Sequence, residues 1–355
     1  MGFTVLDDAL FDGMASSILP VDEASSLPPA CYIDPAFFEF ERDALFRREW
    51  LCAGLESQIR QPGATLTVAH AGDSIILVRH RDGRIWGQTS DRANVRVETW
   101  HGFIFVNRDI AAPALAPRLQ AAGQAVANFD LANADAPPAE HLPGLSWNWK
   151  VMLENNNDGY HASRLHKGPL HDFVPSELSV FPSLADGEAG YLRYNGTLHP
   201  DASFNPTQRA LLPVFPKLTS EERGRMAFVN IPPTLSLVLT SDLAIYVIIH
   251  AESAGTHSAT IGFLAAPGAM ADPEFDAQLA TNVATAMEIT AQDFHVDAAV
   301  QTGLASRYAP RGRYSWQEQA QRDLNVWLVE RYRAEWARRK TKPANTPSFS
   351  DILVE

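Results

Sequence analysis

Cysteine is nearly absent from the 355-residue sequence: Cys31 and Cys52 are the only two, and neither is followed at short spacing by a histidine. At most one disulfide can form, so no disulfide framework holds this fold, and a cytoplasmic setting is the expectation. Cations are also in deficit, with 29 Lys and Arg against 42 Asp and Glu and a formal net charge of −13. That balance argues against nucleic acid and against an anionic membrane as partners. No apolar run reaches membrane-spanning length, and the residues from Met1 to Pro20 carry acids and lack a basic n-region, so neither a span nor a secretory leader is expected. Gly-rich phosphate loops and a Gly-x-Ser-x-Gly elbow are missing, which sets aside P-loop and serine-hydrolase chemistry.

What is present points to a metal. Between Glu154 and His166 two imidazoles, His161 and His166, stand five residues apart, and Asp158 precedes the first by three. Two neutral His nitrogens and one carboxylate oxygen, with positions left open, form the facial triad of non-haem Fe(II) oxygenases. The same donors satisfy zinc, so the ligands alone leave a zinc hydrolase open. On a regular helix residues five apart diverge by about 140°, so the pair converges only if the helix ends between them. Gly159 before the pair and Lys167-Gly168-Pro169 after it predict such an ending. Two His-x-Asp strings, His80-Arg81-Asp82 and His295-Val296-Asp297, match the start of the 2-oxoglutarate oxygenase triad. The first runs into a hairpin turn and no His follows the second, so both are rejected.

The run Trp149-Lys150-Val151-Met152-Leu153-Glu154-Asn155, followed by Asp158, Tyr160, His161 and His166, resembles the iron-binding signature of the catalytic (alpha) subunits of Rieske-type non-haem iron oxygenases. The resemblance implies that His161 and His166 bind a mononuclear Fe(II), and that Asp158 passes electrons to it from a neighbouring subunit's iron–sulfur cluster. Asn155 and Tyr160 would support the ligands. A third ligand comes, in that family, from a late helix, and Ala291 to Leu304 looks like it. The acid eight before the Gln of its Val-Gln-x-Gly-Leu run is Asp293. Asp297, one turn on along the same face, is the rival, and Glu288 a more distant one.

The flanks both follow and break the family pattern. Pro28, Asp34-Pro35, Glu41, Phe46, Trp50, Gly54, Pro62-Gly63 and Ile75 to Arg79 resemble the entry into a Rieske domain. The family then places a Cys-x-His and a Cys-x-x-His around a [2Fe–2S] cluster. This sequence has neither, and passes from Arg81–Gln88 almost directly to Val95–Asn107, which resembles the family's exit from that domain. The cluster-bearing loops read as excised and their supporting strands as retained, so no cluster is expected in this chain.

The expected organisation is an irregular N-terminal segment (1–35), a reduced Rieske-like β domain without cluster ligands (36–145), a catalytic non-haem iron domain (146–340) and a C-terminal tail (341–355). The fold class is α+β. Strand runs at 191–194, 227–231, 235–239, 245–249 and 258–264 precede helices, and the resemblance refines this to a helix-grip (START/Bet v 1-like) domain whose antiparallel sheet wraps long helices. Leu324, Trp327, Leu328 and Tyr332 form the apolar stripe of the last helix.

Function follows from the resemblance: an Fe(II) oxygenase component that hydroxylates or demethylates a small organic substrate with O2. Electrons would come from a cluster-bearing Rieske subunit or a ferredoxin with its reductase, in a trimer-based homo- or hetero-oligomer. The alternative is a non-catalytic structural or regulatory subunit of a hetero-oligomeric Rieske oxygenase. The C-terminal pattern looks closest to the branch of carnitine, choline and glycine-betaine oxygenases and some demethylases. Trp147, Trp149 and Tyr160 are candidates for caging a methylammonium, with core packing as the competing role.

Overall fold

The computed structural model describes residues 6–166 and 170–341. The turn expected at Lys167-Gly168-Pro169 and the tail beyond residue 341 lie outside them.

The N-terminal segment corrects the expectation of an irregular start. Helix α1 (Asp8–Gly13) begins where the Asp7 carboxylate accepts from Leu10 N at 2.9 Å, an N-cap that satisfies one of the first turn's free donors. So short a helix is held by tertiary packing: Phe11 stacks on Trp336 at 4.5 Å and sits edge-on to Phe40 at 5.1 Å. Helix α2 (Ala30–Ile33) leads into α3 (Pro35–Glu41), where the Asp34 side chain caps Ala36 N and Pro35 opens the first turn.

Six strands follow: β1 (Leu51–Leu55), β2 (Thr65–His70), β3 (Asp73–Arg79), β4 (Ile85–Thr89), β5 (Asn94–Trp100) and β6 (Phe103–Asn107). They form one antiparallel sheet in the order β1-β6-β5-β4-β3-β2. Ile75 and Leu77 of β3 are buried while Ile76 is exposed, an alternation that marks a sheet with one covered face. The hairpin expected at Asp82-Gly83 is there, with Gly83 at φ +84°.

After α4 (Gln120–Val126), the remaining strands build a second antiparallel sheet. They are β7 (Glu140–Leu145), β8 (Ser179–Val180), β9 (Tyr191–Gly196), β10 (Arg225–Ile231), β11 (Leu235–Leu239), β12 (Ala244–Ala251) and β13 (His257–Leu264), in the order β7-β13-β12-β11-β10-β9-β8. Here the domain boundary drawn between 145 and 146 needs correction. Strand β7 pairs with β13 and belongs to the second sheet, although in sequence it follows directly on the connecting segment. Between β7 and β8 lie α5 (Trp149–Asn157) and α6 (His161–Arg164); α7 (Phe275–Leu304) and α8 (Gln319–Thr341) close the chain. This is the α+β, helix-gripping architecture expected.

The two sheets meet through β1 and β12. Tyr246 of β12 lies across Gly262 of β13, where a Cβ would stand 2.2 Å from the ring, and reaches Phe103 of β6 edge-on at 5.7 Å. Cys52 N donates to Thr234 Oγ1 at 2.7 Å across the same junction. On its other face the second sheet packs against α7. Along that helix Ala286, Ile289, Thr290, Asp293 and Phe294 recur at i, i+3, i+4, i+7 and i+8, the spacing that brings residues onto one face, and all five line a cavity between helix and sheet.

Candidate metal centre

Helix α5 is fixed at both ends. Asn148 caps it, its Oδ1 accepting from Lys150 N at 3.0 Å and its Nδ2 donating to the Tyr32 and Ala254 carbonyls. In the first turn the fully buried Lys150 ammonium meets the Glu41 carboxylate at 2.8 Å, and Glu41 also accepts from Trp149 Nε1 and the Tyr332 hydroxyl. At the far end Asn157 accepts from Asn230 of β10 at 2.6 Å and donates to Gln321 of α8 at 3.2 Å. The helix stops at Asp158, whose backbone is extended. Gly159 then passes Ser179 so closely that a Cβ would stand 2.5 Å from its Oγ, which leaves glycine as the residue that fits the elbow.

Beyond the elbow α6 lasts a single turn and ends at Arg164, so His161 and His166 are not on one regular helix. Their rings converge, with centroids 5.2 Å apart. The Asp158 carboxylate accepts from His161 N at 3.0 Å and pairs with His161 Nδ1 at 2.8 Å. His166 Nδ1 pairs with Gln292 Oε1 at 2.9 Å. Each imidazole is thus held through Nδ1, and a neutral ring so held presents a bare Nε2.

Asp293 of α7 supplies the third group. One donor atom from each of His161, His166 and Asp293 lies within 4.8 Å of the other two, the one such cluster of His, Cys and carboxylate groups among the described residues. His166 Nε2 is 3.0 Å from Asp293 Oδ1, yet that buried oxygen has no hydrogen-bond partner. Burial pushes the His166 imidazole down, and the neighbouring Asp293 carboxylate with Gln292 more than reverses this. Three such donor atoms gathered this closely are what a divalent cation requires, and two nitrogens with one oxygen suit iron.

The other expected residues fall around this cluster. Glu288 is exposed on α7. Asp297 is buried one turn past Asp293 and outside the converging group; burial and then the Asp293 charge push its carboxyl up to about 8, against a hydrogen bond from Asn155. Asn155 lines the inner cavity beside Asp293 and also reaches the outer cleft that Asp297 lines. Tyr160 points outward, 40% exposed, its hydroxyl 3.5 Å from Glu318. Burial tends to raise Asp158, and its bonds to His161 outweigh this and hold it below the usual carboxylate range. Trp147 and Trp149 are core residues, and none of Trp147, Trp149 and Tyr160 lines the cavity. Gln292 and Arg193 were not singled out in the sequence. For Arg193 a signal existed, a charge inside an apolar strand run.

Two spaces meet at the cluster. The inner one, about 140 Å³, lies between α7 and the second sheet and is walled by Leu142, Phe204, Val238, Ile261 and other apolar side chains. An outer cleft of about 400 Å³ reaches Asp158, His161 and Asp293 from the opposite side and is acidic, with Glu154, Asp297 and Glu318 on its walls. Cys31 and Cys52 lie away from both, buried, with burial pushing their thiols up. Among the described residues no helix is long and apolar enough to cross a membrane.

Comparison with known proteins gives a consistent result. The family model for the ring hydroxylating alpha subunit (catalytic domain) matches residues 122–334. The carnitine monooxygenase oxygenase subunit of Acinetobacter baumannii is 23% identical over 206 residues, covering 41% of this chain and 54% of the relative. The glycine betaine monooxygenase oxygenase subunit of Chromohalobacter salexigens is 24% identical over 225 residues, covering 48% and 50%. The chain thus spans about half the length of the curated relatives it matches. A solved structure of a quaternary ammonium Rieske monooxygenase superposes with a TM-score of 0.73 at 17% identity, covering 93% of this chain and 100% of that one, a likeness of fold.

Proposed function

The chain belongs to the ring hydroxylating alpha-subunit family, matched over the catalytic domain, and from that premise we propose that it is a mononuclear non-haem Fe(II) oxygenase component acting on a small organic substrate. The observation that carries this reading is the convergence of His161, His166 and Asp293 at the mouth of an apolar cavity, with the buried Asp293 Oδ1 free of any hydrogen bond. Those three residues would hold the ion, and Fe(II) bound there supplies the redox chemistry that activates O2 for insertion into a C–H bond.

The chain's own residues set up that chemistry. Asp158 and Gln292 fix the ring orientation of His161 and His166 through Nδ1, so neither imidazole has to reorganise on binding. Leu142, Phe204, Phe228, Val238 and Ile261 exclude water from the substrate space. For a methyl-bearing substrate the balance is R–CH3 + O2 + two electrons + two protons, giving R–CH2OH and water. Where the methyl is on nitrogen or oxygen, the hydroxymethyl product then releases formaldehyde, a demethylation.

The two electrons come from a separate cluster-bearing partner, because the sequence carries no Cys-x-His pair. Asp158, bonded to His161 and facing the acidic outer cleft, is the bridge toward that partner, and a trimer-based assembly would present it. The missing pair also favours a second reading, a structural subunit that holds the fold and turns nothing over. One experiment separates them: iron content and O2 consumption of the purified chain, first alone and then with a cluster-bearing Rieske protein and reductase. Iron with partner-dependent O2 consumption supports the oxygenase. An iron-free chain, inert with every partner, supports the structural subunit.

A further inference from the structure

Arg193 is an arginine without a carboxylate. It lies on β9, in register with Phe228 of β10, 2% exposed, with its guanidinium stacked 3.6 Å over the Phe228 ring and turned to the inner cavity. Its hydrogen bonds are long: one terminal nitrogen reaches Asn195 Oδ1 and the other the Asn156 carbonyl, each at 3.4 Å, and Nε has no partner. No acid among the described residues forms an ion pair with it; Asp158 acts on it through space only. A buried cation so poorly matched is destabilising unless something completes it.

Chemistry specifies what completes it. A guanidinium presents parallel N–H donors that fit the two oxygens of a carboxylate, which a lysine cannot match. The rest of the wall is apolar, apart from Asn155, Asn156, Ser236, Thr290 and the metal-binding groups. At about 140 Å³ the space is close to the ~150 Å³ cavity known to take benzene. A quaternary ammonium fits poorly. Asp293 is the sole acid on this wall and is committed to the metal cluster; of the three phenylalanines that line it, Phe228 already carries Arg193, and the guanidinium charge itself repels a second cation in so small a space.

We propose that Arg193 is a specificity-determining residue that binds the carboxylate of a compact, otherwise apolar substrate, leaving the C–H bond to be oxidised at the His161/His166/Asp293 end. This rests on the reading of that cavity as the substrate site.

The test is calorimetric titration of the iron-loaded chain with benzoate, its neutral isostere benzamide, and choline. Benzoate should bind about tenfold or more tighter than benzamide, with choline weakest. Arg193→Met should keep benzamide binding and lose the preference, and Arg193→Lys should retain part of it. Benzamide binding as tightly as benzoate, choline binding tighter than either, or no benzoate binding at millimolar concentration overturns the proposal without any variant. So does a benzoate preference that survives in Arg193→Met, because the metal would then be reading the carboxylate. O2 consumption is measured separately, with a cluster-bearing Rieske protein and reductase present: benzoate selectivity in a protein inert under those conditions refutes the oxygenase reading and leaves carboxylate binding by Arg193 standing, and an active oxygenase indifferent to carboxylate sinks this proposal alone.

Discussion

His166 Nε2 and Asp293 Oδ1 stand 3.0 Å apart and do not hydrogen-bond to each other. With His161 they make a set in which one donor atom from each residue lies within 4.8 Å of the other two. The expected occupant is iron, at about one per chain by metal analysis of protein made in iron-replete cells. His161→Ala, His166→Ala and Asp293→Ala should each abolish its retention. Asp297→Ala should not, since Asp297 lies outside the converging set. Gln292→Leu, which frees the His166 ring, should weaken iron affinity about tenfold to hundredfold. A chain that loses iron on Asp297→Ala and keeps it on Asp293→Ala would invert the assignment.

The anchor of α5 gives a stability prediction. Lys150→Met leaves Glu41 buried with Trp149 and Tyr332 as its remaining donors. Stranding one member of a buried pair costs about 3–5 kcal/mol, and the two surviving donors place this variant toward the low end. Urea unfolding of the metal-free protein reads it. A loss under about 1 kcal/mol would mean the pair is dispensable to α5.

Much of the centre was legible because its determinants are local. Asp158, Gly159, His161 and His166 sit in one short stretch, and the glycine already marked a helix ending between the elements. Asp293 was legible through the resemblance of Ala291 to Leu304 to the family's late helix, and helical periodicity explains why Asp297 stayed a rival: residues four apart share a face, and only the folded structure shows which of them joins the two histidines. Arg193 left only a charge inside a strand run as its signal. Its meaning depends on Phe228, set beside it by strand register, and on Asn156 of α5, brought to it by packing rather than by sequence neighbourhood. The domain boundary was drawn after β7 rather than before it for the same reason, since its partner β13 lies more than a hundred residues away. Helix α1 was missed because its stability resides in Phe11 against Trp336, a contact no window of sequence contains.

Glu154 sets a pH dependence away from the ligands. Burial raises its carboxyl to about 7, although the Tyr32 hydroxyl donates to it at 2.6 Å. A raised carboxyl holds more protons folded than unfolded between about 4.5 and about 7, so stability falls as pH rises through that window and levels off above it. The gap corresponds to at most about 3 kcal/mol at ~1.36 kcal/mol per unit. Glu154→Gln keeps an acceptor for Tyr32 and removes the titration. Its thermal stability relative to wild type should therefore rise from about pH 5 to about pH 8, and a flat difference would remove Glu154 as the cause.

Asp158 carries the electron-delivery prediction. Its carboxylate fixes His161 and opens on the outer cleft, so it touches a metal-binding residue without being one. Asp158→Asn retains an oxygen that accepts from His161 Nδ1, and iron should stay bound. The negative charge is lost, and multiple-turnover activity with a cluster-bearing partner should fall strongly. A peroxide-driven reaction needs no external electrons and should fall much less. Comparing the two assays on one preparation separates the bridge from general damage, because a misplaced His161 would depress both alike. Normal partner-driven turnover in Asp158→Asn would remove Asp158 from the electron path and return the docking site to another face of the molecule.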